Sequence, residues 1–527
     1  MRLVRPLLVL AALLVVAAPT VDQATAASGG LRFVECLTGK QPVLGEPRSP
    51  RGGGCKLTKT VAGDGEGSAI NHLSALTASP DGRSLYAVSI RDDAVSAFTA
   101  RPLRLTQCFT TNAHLRKGRK QPCQLLPNSG SEDVNSGLNG VNFVAVSPDG
   151  RDVYTASSGD GSIATFARAA SGQLDFEGCI TGNSSTFGSA ANGSCQRIPG
   201  ATNTLDGAFS GLGGPRSLAI SPDGRFVYVA LGTEDGIATL ARDADGSLRF
   251  LSCLRGAVRY AELGPLHSPC PLVAPQENNP NASGLKSPVR IVISADGTSL
   301  YATSARGASI AEFRRDPADG ALTFSGCLAA ANRGTGPGDP CRYVPQANDI
   351  GVDTAMYEMR EIVIAPDGTG LYGISTYDDA VAAFARDPAT GKLSFASCIG
   401  AESDLGKEFG VPDPCTTEVP STNAVGDGSG LARPRGLAIS PDGRNLFVAS
   451  LGDATINRFR LTPGGGLHLA GCITDGSGRA SRCPYARTPG GKPQWFGFDG
   501  LNSLAVAGHS LYAAAGDGSS ISRFSFP

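Results

Sequence analysis

The chain has no excess charge of either sign, with 46 basic against 47 acidic side chains. It therefore has no overall field to concentrate nucleic acid or an anionic membrane, and nucleic acid is not an expected partner. No Cys-x-x-Cys pair occurs and the five histidines are scattered, so the close ligand pairs of a zinc site are missing. Gly-x-Ser-x-Gly, His-Glu-x-x-His, phosphate-loop and dinucleotide fingerprints are absent as well. No cofactor and no metal are expected. Methionine appears three times and tryptophan once, whereas glycine reaches 69 and proline 35. That balance suits many short strands joined by turns rather than a helical protein.

Long apolar runs are missing too, except at the start. There Arg2 and Arg5 precede an apolar stretch from Pro6 to Ala18 and a small-residue site ending in ATAAS. This order predicts a cleavable secretory signal over residues 1–27, cut near Ala26 or Ala27. The rival reading is a retained anchor, which needs about 20 apolar residues. The expectation is a secreted protein in the extracellular or cell-envelope space, monomeric, with no membrane span after cleavage.

What the chain does have is a repeat. SPDGRSLYAV recurs as SPDGRDVYTA, SPDGRFVYVA, SADGTSLYAT, APDGTGLYGI and SPDGRNLFVA, with the turn aspartate at Asp81, Asp149, Asp223, Asp296, Asp367 and Asp442. A shortened seventh copy, LAVAGHSLYAAA, starts at Leu504. Each copy reads as an inner strand, a tight turn, a second strand, a Gly/Asp turn, a third strand, another turn and a fourth strand, which is a propeller blade. Tyr86, Tyr154, Tyr228, Tyr301, Tyr372, Phe447 and Tyr512 recur on the second strand. Phe98, Phe166, Leu240, Phe313, Phe384, Phe459 and Phe524 recur on the third. These large side chains are read as core between stacked sheets, each contributing roughly 1.5 to 3 kcal/mol.

The last copy stops after its third strand, whereas LRFVEC, Leu31 to Cys36, has no first three strands before it. The expected fold is therefore all-β: a seven-bladed β-propeller of four-stranded antiparallel blades filling residues 28–527. Residues 31–37 supply the fourth strand to the three strands of 501–526, so that no edge is left open between the chain ends.

The fourteen cysteines fall into seven couples: Cys36 with Cys55, Cys108 with Cys123, Cys179 with Cys195, Cys253 with Cys270, Cys327 with Cys341, Cys398 with Cys415, and Cys472 with Cys483. An exported chain with an even count reads as disulfide-bonded. Spacing does not strictly fix connectivity, but the sevenfold repetition favours pairing within each repeat.

In a ring of such blades the long connections open on one face around the central channel, where function usually gathers. Seven residues before each turn aspartate stand Ser74, Asn142, Arg216, Val289, Arg360 and Arg435, with Asn502 in the short copy and Arg290 one residue out of step. Several arginines and two asparagines near one axis would make a cationic rim suited to carboxylate or phosphate. The plainer alternative is that each arginine pairs with a neighbour such as Glu358 or Glu361, or faces water. His72 is the histidine closest to an inner strand and would be the general base of a reactive site. Glu358 would supply a carboxylate. His468 falls on an outer strand, His509 in a hairpin turn, and His114 and His267 inside the cysteine loops. Trp495, with Phe496 and Phe498, either stacks on a sugar or partner or caps neighbouring loops. The Asp92-Asp93, Gly159-Asp160-Gly161 and Asp378-Asp379 groups read as turn chemistry and lack calcium-loop spacing.

The repeat LAISPDGRFVYVALGTEDGIATLARDADGSLRF, with its sister copies, resembles the seven-bladed lactonase-like propellers, which include 6-phosphogluconolactonase-type enzymes and YVTN-repeat proteins. The resemblance spans nearly the whole chain after the signal. It implies a channel-mouth site for a hydroxy-acid lactone or its acid, worked by Arg, His and carboxylate side chains. The leading expectation is a binding or scaffold protein for a small anion or a protein partner. A lactonase-like hydrolase is the alternative.

Overall fold

The computed structural model describes residues 30–40, 55–62, 67–112, 123–127, 136–184, 195–204, 206–256, 268–273, 283–305, 307–331, 340–348, 351, 354–401, 415–419, 428–462, 465–476, 483–486 and 497–527. The expected signal segment, Trp495, Phe496, His114 and His267 lie outside them. No helix among the described residues is long and apolar enough to cross a membrane.

Seven sheets form seven blades. The six that lie within one stretch of chain begin at Leu73–Ala78, Val141–Val146, Pro215–Ile220, Pro288–Ile293, Met359–Ile364 and Pro434–Ile439. Each of these inner strands contacts the next around the ring, and Leu501–Ala507 of the seventh blade touches both the sixth and the first. The wheel is thus closed. Its closure is made as the repeat count requires: Arg32–Lys40 pairs antiparallel with Ser520–Ser525, in a register running from Arg32 opposite Ser525 to Thr38 opposite Ser520.

Four antiparallel strands per blade is an incomplete description of five of the sheets. Beyond the outer strand they carry a fifth, parallel one, such as Cys195–Thr202 beside Leu174–Asn183 or Cys341–Asn348 beside Leu322–Ala331. Among the described residues the other two blades make a single parallel bridge there, Arg255 to Leu272 and Thr474 to Tyr485. The cause is the disulfide. All seven couples are bonded within their repeats across 11 to 19 residues, with Cα atoms 4.3–5.2 Å apart. A bridge this short returns the chain to the level of the outer-strand cysteine, heading the same way, beside an unpaired edge. In the chain-entropy account each such loop contributes about 3 kcal/mol.

The core is divided among the blade interfaces. Between the first and second blades, Tyr86 and Val88 pack on Phe166 and Leu174; between the second and third, Tyr154 and Ala156 pack on Leu240 and Leu248. Each buried tyrosine also needs a hydrogen-bond acceptor. Tyr86, Tyr154, Tyr228 and Tyr301 donate to the carbonyls of Gly172, Gly246, Gly320 and Gly391 of the following blade, at 2.5–2.9 Å.

The recurring Ser-Pro-Asp-Gly turn explains its own sequence. In the third blade the Ser221 hydroxyl accepts from the Phe226 amide while Asp223 accepts from the Arg225 amide, and Gly224 takes φ +70°, which a side chain would resist. An arginine ending the next blade's third strand then locks the turn. Arg168, Arg242, Arg315 and Arg386 each reach the preceding blade's turn aspartate at 2.8 Å. Their Nε atoms donate to the tyrosine hydroxyls at 2.7–3.0 Å. Later in the ring Leu461 and Phe526 stand in that place, and Phe526 lies 4.8 Å from the Phe447 ring.

Candidate functional site

Every inner strand is bulged at its start. The pairing skips one residue between Leu73 and Ala75, Val141 and Phe143, Pro215 and Ser217, Pro288 and Arg290, Met359 and Glu361, Pro434 and Gly436, and Leu501 and Ser503. The skipped residue is Ser74, Asn142, Arg216, Val289, Arg360, Arg435 or Asn502, the same set that the sequence aligns at the channel mouth. A bulge breaks strict alternation and re-aims side chains.

The bulge positions split into two kinds. Ser74 Oγ donates to Val141 O at 3.2 Å, Asn142 Nδ2 to Pro215 O at 3.3 Å, and Asn502 Nδ2 to Leu73 O at 3.2 Å. Each sews its blade to the next, so the two asparagines are engaged in the ring itself. The arginines hold the charge. Arg290 pairs with Glu361 of the next blade and lies 4.4 Å above the Phe143 ring of the second blade. Side chains of the second, fourth and fifth blades thus meet across the channel and give the mouth a floor. Burial pushes the Glu361 carboxyl up, against the pull of the Arg290 guanidinium.

Above that floor, Arg360 lies 3.6 Å from Glu358, both about two-fifths exposed. Arg435, half-buried on the neighbouring blade, makes no hydrogen bond or ion pair among the described residues. The Nε atoms of Arg360 and Arg435 are both buried without an acceptor among the described residues. Burial first, then the Arg360 guanidinium, holds the Arg435 group below the ordinary arginine range. Across the seventh and first blades, His72 Nδ1 stands 3.3 Å from Asp517 Oδ1, a close approach without hydrogen-bond alignment. Arg216 is exposed on the third blade.

Phe498 is fully buried 5.6 Å from Phe524, which makes it part of the core between the sixth and seventh blades rather than a stacking surface. His509 packs 5.9 Å from Phe526 at the opposite face.

The Asp/Gly turns between second and third strands hold more than turn chemistry. Eleven residues after five of the six turn aspartates stands Asp92, Asp160, Glu234, Asp378 or Asp453, and Gly307 takes the place in the fourth blade. Each accepts from main-chain amides of the loop leading into its own inner strand: Asp92 from Gly67, Ala69 and Asn71, and Asp453 from Gly428, Gly430 and Ala432, at 2.7–3.3 Å. One residue further on, Asp93, Asp235 and Asp379 take an amide of the next blade, Gly140, Ser287 and Arg433, at 2.6–2.8 Å. These carboxylates set the loop face on which the mouth is built. The offset is legible in the sequence in five of the six copies; the amides these carboxylates serve are not.

No protein-family model and no curated protein matches the chain. Among solved structures it is similar to a 6-phosphogluconolactonase candidate from Bacteroides uniformis, at 18% identity over 75% of this chain and 83% of that one, with a TM-score of 0.45. The periplasmic gluconolactonase of Pseudomonas aeruginosa matches at 16% identity over 75% and 84%, with a TM-score of 0.43. Hydrazine synthase of Kuenenia stuttgartiensis matches at 13% identity over 92% and 98%, with a TM-score of 0.45. Scores at this level carry no argument about ligand or reaction.

Proposed function

We propose that this is an exported recognition protein whose channel mouth takes a small anionic ligand between Arg360 and Arg435. The observation behind the reading is Arg435: a half-buried guanidinium without an acceptor among the described residues, beside a second arginine whose one carboxylate partner is 3.6 Å away. A carboxylate or phosphate bridging the two would satisfy both forks and relieve their repulsion. Export is supported by the seven disulfides and by the Arg-led apolar segment at the start of the chain.

The test is thermal denaturation of the purified protein with sugar acids, simple carboxylates and phosphate at low ionic strength. A ligand at a hundred times its dissociation constant adds about 2.7 kcal/mol, a clear rise in Tm. Arg435→Ala abolishes that rise. If no anion raises the Tm of the unaltered protein, the reading fails.

A second reading, a lactonase-like hydrolase, has one observation in its favour. His72 Nδ1 lies 3.3 Å from Asp517 Oδ1 on the same face as the arginines, near enough for the carboxylate to orient a general base if ligand binding aligns the two. Lactone opening followed by acid release, lost in His72→Asn, would replace the binding reading.

A further inference from the structure

The fifth blade departs from the repeat at two facing positions at once. Ten residues before the turn aspartate the other five full copies hold Asn, Gly, Lys or Ala, and this one holds Tyr357; ten residues after it they hold Arg, Gly or Thr, and this one holds Tyr377. The rings meet edge to face with centroids 5.0 Å apart, and Tyr377 is 48% exposed. Scaffold duty does not call for them, because the other copies build the same corner without an aromatic.

The corner is rigid and continuous with the arginine site. Asp378 accepts from the Tyr357 amide at 3.0 Å, and the Thr376 amide donates to Glu358 O at 3.4 Å. Toward the sixth blade, Thr376 Oγ1 donates to Pro434 O at 2.8 Å and Asp379 accepts from the Arg433 amide at 2.6 Å. Tyr377 is thereby held between the segment carrying Glu358 and Arg360 and the segment carrying Arg433 and Arg435.

We infer that Tyr377, backed by Tyr357, is a stacking subsite beside the arginines, and that the ligand is an acidic saccharide of more than one ring. The inference rests on the anionic-ligand reading above and names its class. A sugar ring offers an apolar face to a fixed aromatic and hydroxyls that need an acceptor, while its carboxylate needs a guanidinium. Glu358 supplies the acceptor. An acidic peptide such as oligoglutamate would bring carboxylates to the arginines but no ring face to Tyr377.

The experiment is isothermal titration of the full exported chain with galacturonic acid, trigalacturonic acid, the neutral maltotriose and a glutamate hexapeptide. The trisaccharide acid should bind at least ten-fold tighter than the single acid. Tyr377→Ala should remove that advantage and leave the single acid's affinity unchanged, whereas Tyr377→Phe should keep both. If galacturonic acid binds and the trimer binds no tighter, the subsite is refuted while the anion site stands. If neither acid binds, both are refuted. Maltotriose or the hexapeptide binding as tightly as the trimer would overturn the assigned class.

Discussion

The two faces of the wheel use the same side chain in opposite ways. On the turn face, partial burial of Asp81 is outweighed by the Ser79 hydroxyl, the Arg83 amide and the Arg168 guanidinium, and its carboxyl is held down at about 2. Asp149 is held at about 2 by the same balance, with Ser147 and Arg242 as partners. On the loop face, burial of Asp92 outweighs three main-chain amides and pushes it up to about 6. Asp379 rises to about 7 through burial, its one amide being opposed by Asp453 and Asp378. The difference lies in the counter-charge. Four of the six turn aspartates, Asp81, Asp149, Asp223 and Asp296, each meet a guanidinium of the next blade. Asp92 and Asp453 take main-chain amides instead, and at the mouth Arg290 pairs with Glu361 while Arg435 has no acceptor among the described residues.

The largest expected effect comes from undoing a turn-face lock. Arg315→Met takes the guanidinium from Asp223 and the Nε donor from the Tyr228 oxygen, and urea denaturation should register a loss of about 3 kcal/mol, at the low end for a broken buried ion pair because Asp223 is 32% exposed and keeps the Arg225 amide. Anion binding should be unaltered. At the matching place in the sixth blade, Leu461→Met should cost under about 1.5 kcal/mol, since that contact is already apolar.

Stability against pH should bend both ways. The folded protein keeps a proton on Asp379 and Asp92 that an unfolded carboxyl near 3.9 releases, so stability should rise as pH falls from about 7 toward 4. Below about 4 the unfolded chain takes protons that Asp81 and Asp149 refuse until about 2, and stability should fall. Melting curves should show Asp379→Asn flattening the upper limb and Asp81→Asn softening the lower. A flat profile between 7 and 4 would erase the contrast between the faces. The smallest effect is Ser221→Ala, which removes the hydroxyl bonded to Asp223 and the Phe226 amide and should cost about 1 kcal/mol by denaturation.

Much of this was legible beforehand, and the failures have one cause. The blade count, the joining of Leu31 and its neighbours to the last strand, and the cysteine couples all follow from order along the chain. The recurring arginines that end Ala-Arg or Arg-Arg third strands were equally visible, but their partners sit in the preceding blade, 87 to 93 residues away. The positions at which the sequence aligns the rim are the bulge residues of the inner strands. The division between a paired Arg290 and an Arg435 without an acceptor among the described residues was not readable, because the bulge that turns those residues leaves no mark in the local pattern.

Alone, then, the amino-acid order determined how many blades there are, how the circle shuts and which cysteines lie close enough to join, since repetition and spacing are linear properties. Tertiary structure decided which charges meet. Arg290 and Glu361 are 71 residues apart and touch over a channel, and Tyr377 faces Tyr357 because two turns of one blade fold to a single corner. Proximity around a ring is a property of curvature, and curvature exists only once all seven sheets have packed.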